Sequence, residues 1–202
     1  MKRIIRDRDQ GIKYDVHWSQ EGQLIEPNGS TLTSYLGSVV RREIPITCED
    51  WRARVLDDAK DKIWSETQKL FIIEDTRRDY ILKLAGKLHR GFRAFLSNKI
   101  LRDADKFFVD AELPKKYADL ITAKEWETFK FKINTQKFES LSVVNRQQAS
   151  SPTYPYRKRR MGYARLQQSI LTKENSSETS LSEHILWKEA RVCKDGAVEE
   201  KV

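Results

Sequence analysis

Two cysteines, three histidines, five prolines and eight glycines are all that 202 residues contain of these types. No apolar run approaches the ~20 residues that a bilayer-spanning helix needs. Cys48 and Cys193 lie far apart with no metal-ligand spacing, which argues against a disulfide framework and points to a reducing compartment. His17, His89 and His184 join them in no recognisable metal constellation. A glycine-rich phosphate loop is missing, and so is a nucleophile elbow of the G-x-S-x-G kind. The acidic pair Asp57 and Asp58 reads as a solvated helix turn before it reads as a divalent-ion site. No enzymatic activity, cofactor or metal is therefore expected. The opening MKRIIRD lacks the apolar stretch of a signal peptide, so the expectation is a soluble, intracellular protein with no membrane partner.

What the chain does have is charge and aromatic residues. Lys and Arg number 38 against 30 Asp and Glu, for a formal net charge of +8. That sign favours polyanionic partners without fixing a site. Five Trp, seven Tyr and eight Phe argue against wholesale disorder. The length suits one domain with a real core, or a core with looser ends, better than two large domains.

The clearest sidedness lies in residues 78–102, RDYILKLAGKLHRGFRAFLSNKILR. At ~100° per residue, Ile81, Leu84, Ala85, Leu88, Phe92, Phe95 and Leu96 fall within about 120° of one another. This predicts a buried stripe. Lys83, Lys87, Arg90 and Arg93 occupy the opposite sector, and no carboxylate lies between Ile81 and Leu101. One side should seat in a core while the other faces an anionic partner. Gly86 and Gly91 weaken such a helix by about 1 kcal/mol each relative to Ala, so packing must offset them or the helix bends.

Around this helix, KYDVHW and QLIE read as two strands of a small hairpin turned at Gly22. Pro27-Asn28-Gly29 breaks the chain, and Ser30 is the expected cap of a helix burying Leu32, Tyr35, Leu36, Val39 and Val40. Thr47 with Asp50 suggests a capping box, starting a second helix at Thr47 or Cys48. Its apolar set would be Val55, Leu56, Ala59, Ile63 and Leu70, with Trp51 and Trp64 towards its edges. A short turn near 74–76 leads into the basic helix. Further on, Thr122 and Glu125 form a capping box before a helix burying Trp126, Phe129 and Ile133. Phe138, Leu141 and Val144 leave that line, which predicts a break near Asn134. Helical spacing resumes at Tyr163, and a short helix is expected around residues 184–192.

Several residues carry two readings. His89 borders the basic face and could contact a phosphate or a base, or be an ordinary half-exposed helix residue. Trp51, Trp64 and Trp126 could stack on bases, but at helical spacing beside Val, Leu and Phe they read as core. The run Arg157, Lys158, Arg159, Arg160, followed by Arg165, suits a nuclear-import signal, a phosphate clamp or a solvated loop.

Three segments together, covering residues 14–196, carry a resemblance. These are ITCEDWRARVLDDAKDKIWSETQKLFII with YILKLAGKLHRGFRAFL; EWETFKFKINTQKFESLSVVNRQQ; and YPYRKRRMGYARL with ILWKEARVCKDG. The set resembles the plant transposase family Ptta/En/Spm, encoded by CACTA-type transposable elements. It is similar to that family's Lys-x-x-Ile-Trp pattern, Trp helix ending in Ser-x-x-Asn-Arg, and Tyr-Pro-His, Gly-Tyr-Ala and Leu-Trp-Lys-x-Ala-Arg signatures. His89 stands where the family has Trp, and Tyr156 where it has His. The resemblance implies an accessory, non-catalytic region acting on transposon DNA in the nucleus.

The combined expectation is a mainly α protein with one core of about four to six helices, a small N-terminal hairpin and loose termini. Residues 1–12 are expected to be disordered, 13–172 to form the helical domain, 173–182 a linker, and 183–202 a short helix and tail. DNA is the expected partner, through Lys83, Lys87, Arg90, Arg93, Arg157, Lys158, Arg159, Arg160 and Arg165. Two other readings stand beside it: a protein-interaction module joining other transposon-encoded proteins or itself through Trp-rich helices, and a decayed product.

Overall fold

The computed structural model describes residues 6–7, 9–158, 161–174, 180–193 and 197. It is mainly α. Seven α-helices are described: α1 Gly29–Glu43, α2 Asp57–Leu70, α3 Arg78–Lys99, α4 Ala123–Ile133, α5 Gln136–Ser150, α6 Tyr163–Lys173 and α7 Glu183–Glu189. Four two-residue strands accompany them: β1 Tyr14–Asp15, β2 His17–Trp18, β3 Leu24–Ile25 and β4 Phe71–Ile72. Among the described residues no helix is long and apolar enough to cross a membrane. The chain divides into two compact units, residues 1–15 with 31–142 and residues 16–30 with 143–202. Both boundaries of the larger segment fall inside helices, α1 and α5.

In the first unit, α1 buries Leu32, Tyr35, Leu36, Val39 and Val40, the stripe that its spacing predicts. The second helix differs from expectation. Asp50 Oδ1 accepts the Arg52 N–H at 2.9 Å, and Cys48 N–H donates to Pro45 O at 3.1 Å. These local turns compete with a capping box at Thr47, because a short acidic side chain that bonds its own backbone holds the chain out of the helix. The helix therefore begins only after a 3-10 turn, Arg54–Leu56. Ile63, Trp64 and Leu70 are buried, so Trp64 is core and not edge, while Val55 is 85% exposed. β4 follows at once and pairs in parallel with β1, Tyr14 opposite Phe71. Tyr14 thus leaves the expected hairpin for this unit.

A 3-10 turn, Asp75–Arg77, leads into α3. The helix α4 starts on the predicted capping box: Thr122 Oγ1 accepts the Glu125 N–H at 3.2 Å, and Glu125 Oε2 accepts the Thr122 N–H at 2.8 Å. It buries Trp126, Phe129 and Ile133, ends at Asn134, and α5 starts afresh at Gln136. The break is where the apolar line shifts. These three residues join Ile46, Phe92, Leu96, Leu101 and Ile121 in one apolar cluster. Beside it, the buried Arg102 donates to Lys106 O at 2.5 Å and to Glu139 Oε2 at 2.6 Å. Both bonds offset the cost of removing its charge from water.

In the second unit, β2 and β3 form the antiparallel hairpin, with Gly22 in the left-handed region at φ 71°. Glycine carries that conformation without a Cβ penalty. The helix that follows begins at Gly29, after Asn28 at φ 71°. Ser30 is therefore not the cap: its own N–H donates to Glu26 Oε1 at 3.1 Å. The side chain of Gln168 on α6 brackets Glu26, accepting its N–H at 2.8 Å and donating to its carbonyl at 2.5 Å. This pair of bonds pins α6 to the end of the hairpin. Of the expected linker 173–182, residues 175–179 lie outside the described residues, and α6 already includes Lys173.

Candidate nucleic-acid interface

Lys83, Lys87 and Arg90 are exposed on α3, as the wheel predicts. None of them forms an ion pair with a described residue. Spaced four and three apart, they make one row about 10 Å long at ~1.5 Å rise per residue. At 3.4 Å of axis per nucleotide of one strand, that row matches about three phosphates.

The rest of the helix is turned from the expected orientation. Its buried residues are Ile81, Ala85, Gly86, His89, Phe92, Leu96 and Ser97. The centre of that sector lies about 70° round from the predicted stripe, on the side of Gly86, His89 and Arg93. Leu84 and Leu88 are only half-buried, and Phe95 is exposed. The cause is Trp51, released from the helix by the 47–53 turns. Its indole lies against Gly86, where an added Cβ would come within 3.0 to 3.1 Å of three ring atoms. It also packs beside His89, ring centroids 6.2 Å apart. Phe95, on the opposite edge, meets Tyr117 edge-on and carries the Lys116 ammonium over its ring at 5.6 Å.

Two expectations are corrected by this rotation. Arg93 does not belong to the exposed row, since only 17% of its side chain is exposed and it sits 3.5 Å from Glu49. Its guanidinium lies over the Phe129 ring at 5.7 Å, and burial pushes its pKa below the ordinary guanidinium value. Lys132 shares the same Glu49 carboxylate. Arg93 is thus held by the core and by an acid, which leaves it poorly placed to meet a phosphate. His89, read as half-exposed, is buried, with its Nε2 3.1 Å from the Pro45 carbonyl. Burial lowers its pKa, and the charges of Arg93 and Arg90 lower it further against the opposing hydrogen bond to Pro45. At neutral pH it is an uncharged imidazole donating to that carbonyl, and it offers nothing to an anion.

The second basic group lies in the other unit. Arg157 is exposed and its N–H donates to Ala190 O at 2.8 Å. Lys158 is half-buried and lines a groove of about 730 Å³ with Met161, Arg165 and Gln168. Arg165 reaches Glu26 Oε1 at 3.4 Å, so its charge is partly answered. Arg159 and Arg160 lie outside the described residues.

Sequence reasoning missed the centre of this unit. Arg191 Nε donates to Tyr154 O at 3.1 Å, and its Nη1 donates to Tyr163 Oη at 2.9 Å and to Trp187 O at 3.0 Å. The same guanidinium lies over the Trp187 ring at 4.1 Å. Tyr154 meets Trp187, and Tyr156 meets Tyr163, in edge-on contacts with centroids 5.8 and 5.5 Å apart. The tripeptides 154–156 and 162–164 and the hexapeptide 186–191, separate in the sequence, thus meet on one cation. Among the described residues, no group of three His, Cys, Asp or Glu is placed to hold a metal ion. Comparison with family models, with curated proteins and with solved structures finds no match for this chain.

Proposed function

We propose that this chain is a non-enzymatic DNA-binding protein of the nucleus, related to the accessory region of CACTA-type plant transposases, that grips the phosphate backbone of duplex DNA. The observation that carries the reading is the row of Lys83, Lys87 and Arg90, three exposed cations without a described acidic partner on one side of α3. Contacts of this kind set register on the duplex and carry no base information. Arg157 and Lys158 supply further charge in the second unit. Arg93 drops out of the contact set, because Glu49 and Phe129 hold it.

The test is a binding isotherm for a labelled duplex over a salt series, using the full chain. Three neutralised phosphates account for about 2.7 log units of affinity per log unit of salt. Replacing Lys83, Lys87 and Arg90 together with Ala should lower the slope by about that amount and weaken all duplex sequences alike. An unchanged slope in the triple variant refutes the row as a phosphate contact. The protein-interaction reading draws support from Phe107 and Phe131, which are 71% and 79% exposed. It does not draw on Trp64 and Trp126, which are buried. A partner held by those phenyl rings would bind almost independently of salt.

A further inference from the structure

We propose that the ring surface formed by Tyr154, Tyr163 and Trp187 in the second unit is a stacking platform for unpaired bases of a single-stranded nucleic acid. These three residues are 36%, 44% and 44% exposed, while Arg191 ties their backbone and hydroxyl groups together from within. Tyr163 is held through its hydroxyl, and the Trp187 ring by the Arg191 guanidinium on one face and by its edge-on contact with Tyr154, so the rings are in place before any ligand arrives. A Trp or Tyr loses little rotamer freedom when bound, so a fixed ring offers its area at low entropic cost.

The chemistry of the surface selects among aromatic-seeking ligands. Arg191 already occupies the cation position over the Trp187 face. A quaternary ammonium or methylated lysine brought to the exposed remainder of that ring would meet a like charge, which a neutral base does not. Among the described residues from 154 to 193, Lys and Arg outnumber Glu by six to three, and the exposed Arg157 is bonded through its N–H to Ala190 O, next to Arg191, which favours a ligand with negative charge. A neutral proline-rich peptide would use the rings but gain nothing from that excess. A single strand uses both: its bases lie on the rings and its phosphates face Arg157, whose backbone is bonded to Ala190 beside Arg191. A paired base cannot do this, because within a duplex its face is covered by its neighbours and only its edge is offered.

This inference rests on residues other than Lys83, Lys87 and Arg90, and the two readings fail separately. Full-length protein would be titrated, by fluorescence anisotropy, into a short labelled oligothymidylate and into an abasic oligomer of equal length and charge. One stacked base should make the oligothymidylate bind about tenfold tighter or more. Trp187→Leu should erase that ratio and leave duplex affinity unchanged, whereas Trp187→Phe should retain most of it. The triple alanine variant of α3 should weaken duplex binding, with the lower salt slope given above, and keep the ratio. Equal affinity of wild type for the base-bearing and abasic strands overturns the proposal, whether or not Trp187→Leu folds. So does a ratio that survives Trp187→Leu, or a proline-rich peptide that binds while no base-dependent affinity is seen.

Discussion

The two glycines of α3 should respond in opposite directions to the same substitution. Each costs the helix about 1 kcal/mol relative to Ala, so Ala at either position begins with that gain. At Gly91 nothing lies within 4 Å of an added Cβ, and the gain stands alone. Gly91→Ala should stabilise by about 0.5–1 kcal/mol. At Gly86 the new methyl would lie 3.0 Å from Trp51 Cδ2 and 3.1 Å from Cε2 and Cγ. Carbon atoms prefer ~3.5–4.0 Å, and three contacts with one rigid ring are relieved only by moving the whole indole. That indole also packs beside His89. Overpacking of this kind costs about 1–3 kcal/mol, so Gly86→Ala should destabilise by about 1 kcal/mol after the helix gain is subtracted. Urea unfolding followed by far-ultraviolet circular dichroism measures both. The decisive arm is the Trp51→Ala background, where the ring is gone and Gly86→Ala should turn stabilising. If Gly86→Ala stabilises as much as Gly91→Ala with Trp51 present, the packing account of this glycine is wrong.

Two further outcomes follow from the first unit. Thr122→Ala removes half of the capping box of α4 and should cost about 1 kcal/mol, while Thr122→Ser should cost much less; equal losses would mean that the hydroxyl is not the capping group. His89 has a pKa below its ordinary 6.5, chiefly through burial. With the folded value depressed, its contribution to stability is present in full above the unfolded value and is lost as pH falls through the folded one. Wild type should therefore lose stability as pH falls below the ordinary imidazole value of 6.5 more steeply than His89→Gln, as read from urea midpoints at each pH. Parallel curves would show that the imidazole does not titrate between the two states.

Much of the fold was legible before any coordinates, and the reasons are local. The stripe Leu32, Tyr35, Leu36, Val39, Val40 specifies α1 by period alone, and Thr122 with Glu125 specifies the start of α4 because both partners lie within one turn. The loss of apolar line after Ile133 marked the gap between α4 and α5 for the same reason. Lys83, Lys87 and Arg90 were readable as an exposed row because they lie opposite the apolar stripe, and the only apolar residue in their sector of the helix is the small Ala94. Tertiary contacts decided the rest. The orientation of α3 depends on Trp51, which the turns at Cys48 and Asp50 carry across to Gly86; a helical wheel counts a glycine as neutral and cannot know that an indole needs its bare face. The same rotation took His89 and Arg93 out of the exposed set and Phe95 out of the buried one. Tyr154, Tyr163 and Trp187 share a surface only because Arg191 bonds to all three segments at once. Periodicity reports which side of one element is apolar, whereas a guanidinium bonded to a carbonyl and a hydroxyl some thirty residues away is a property of the folded chain.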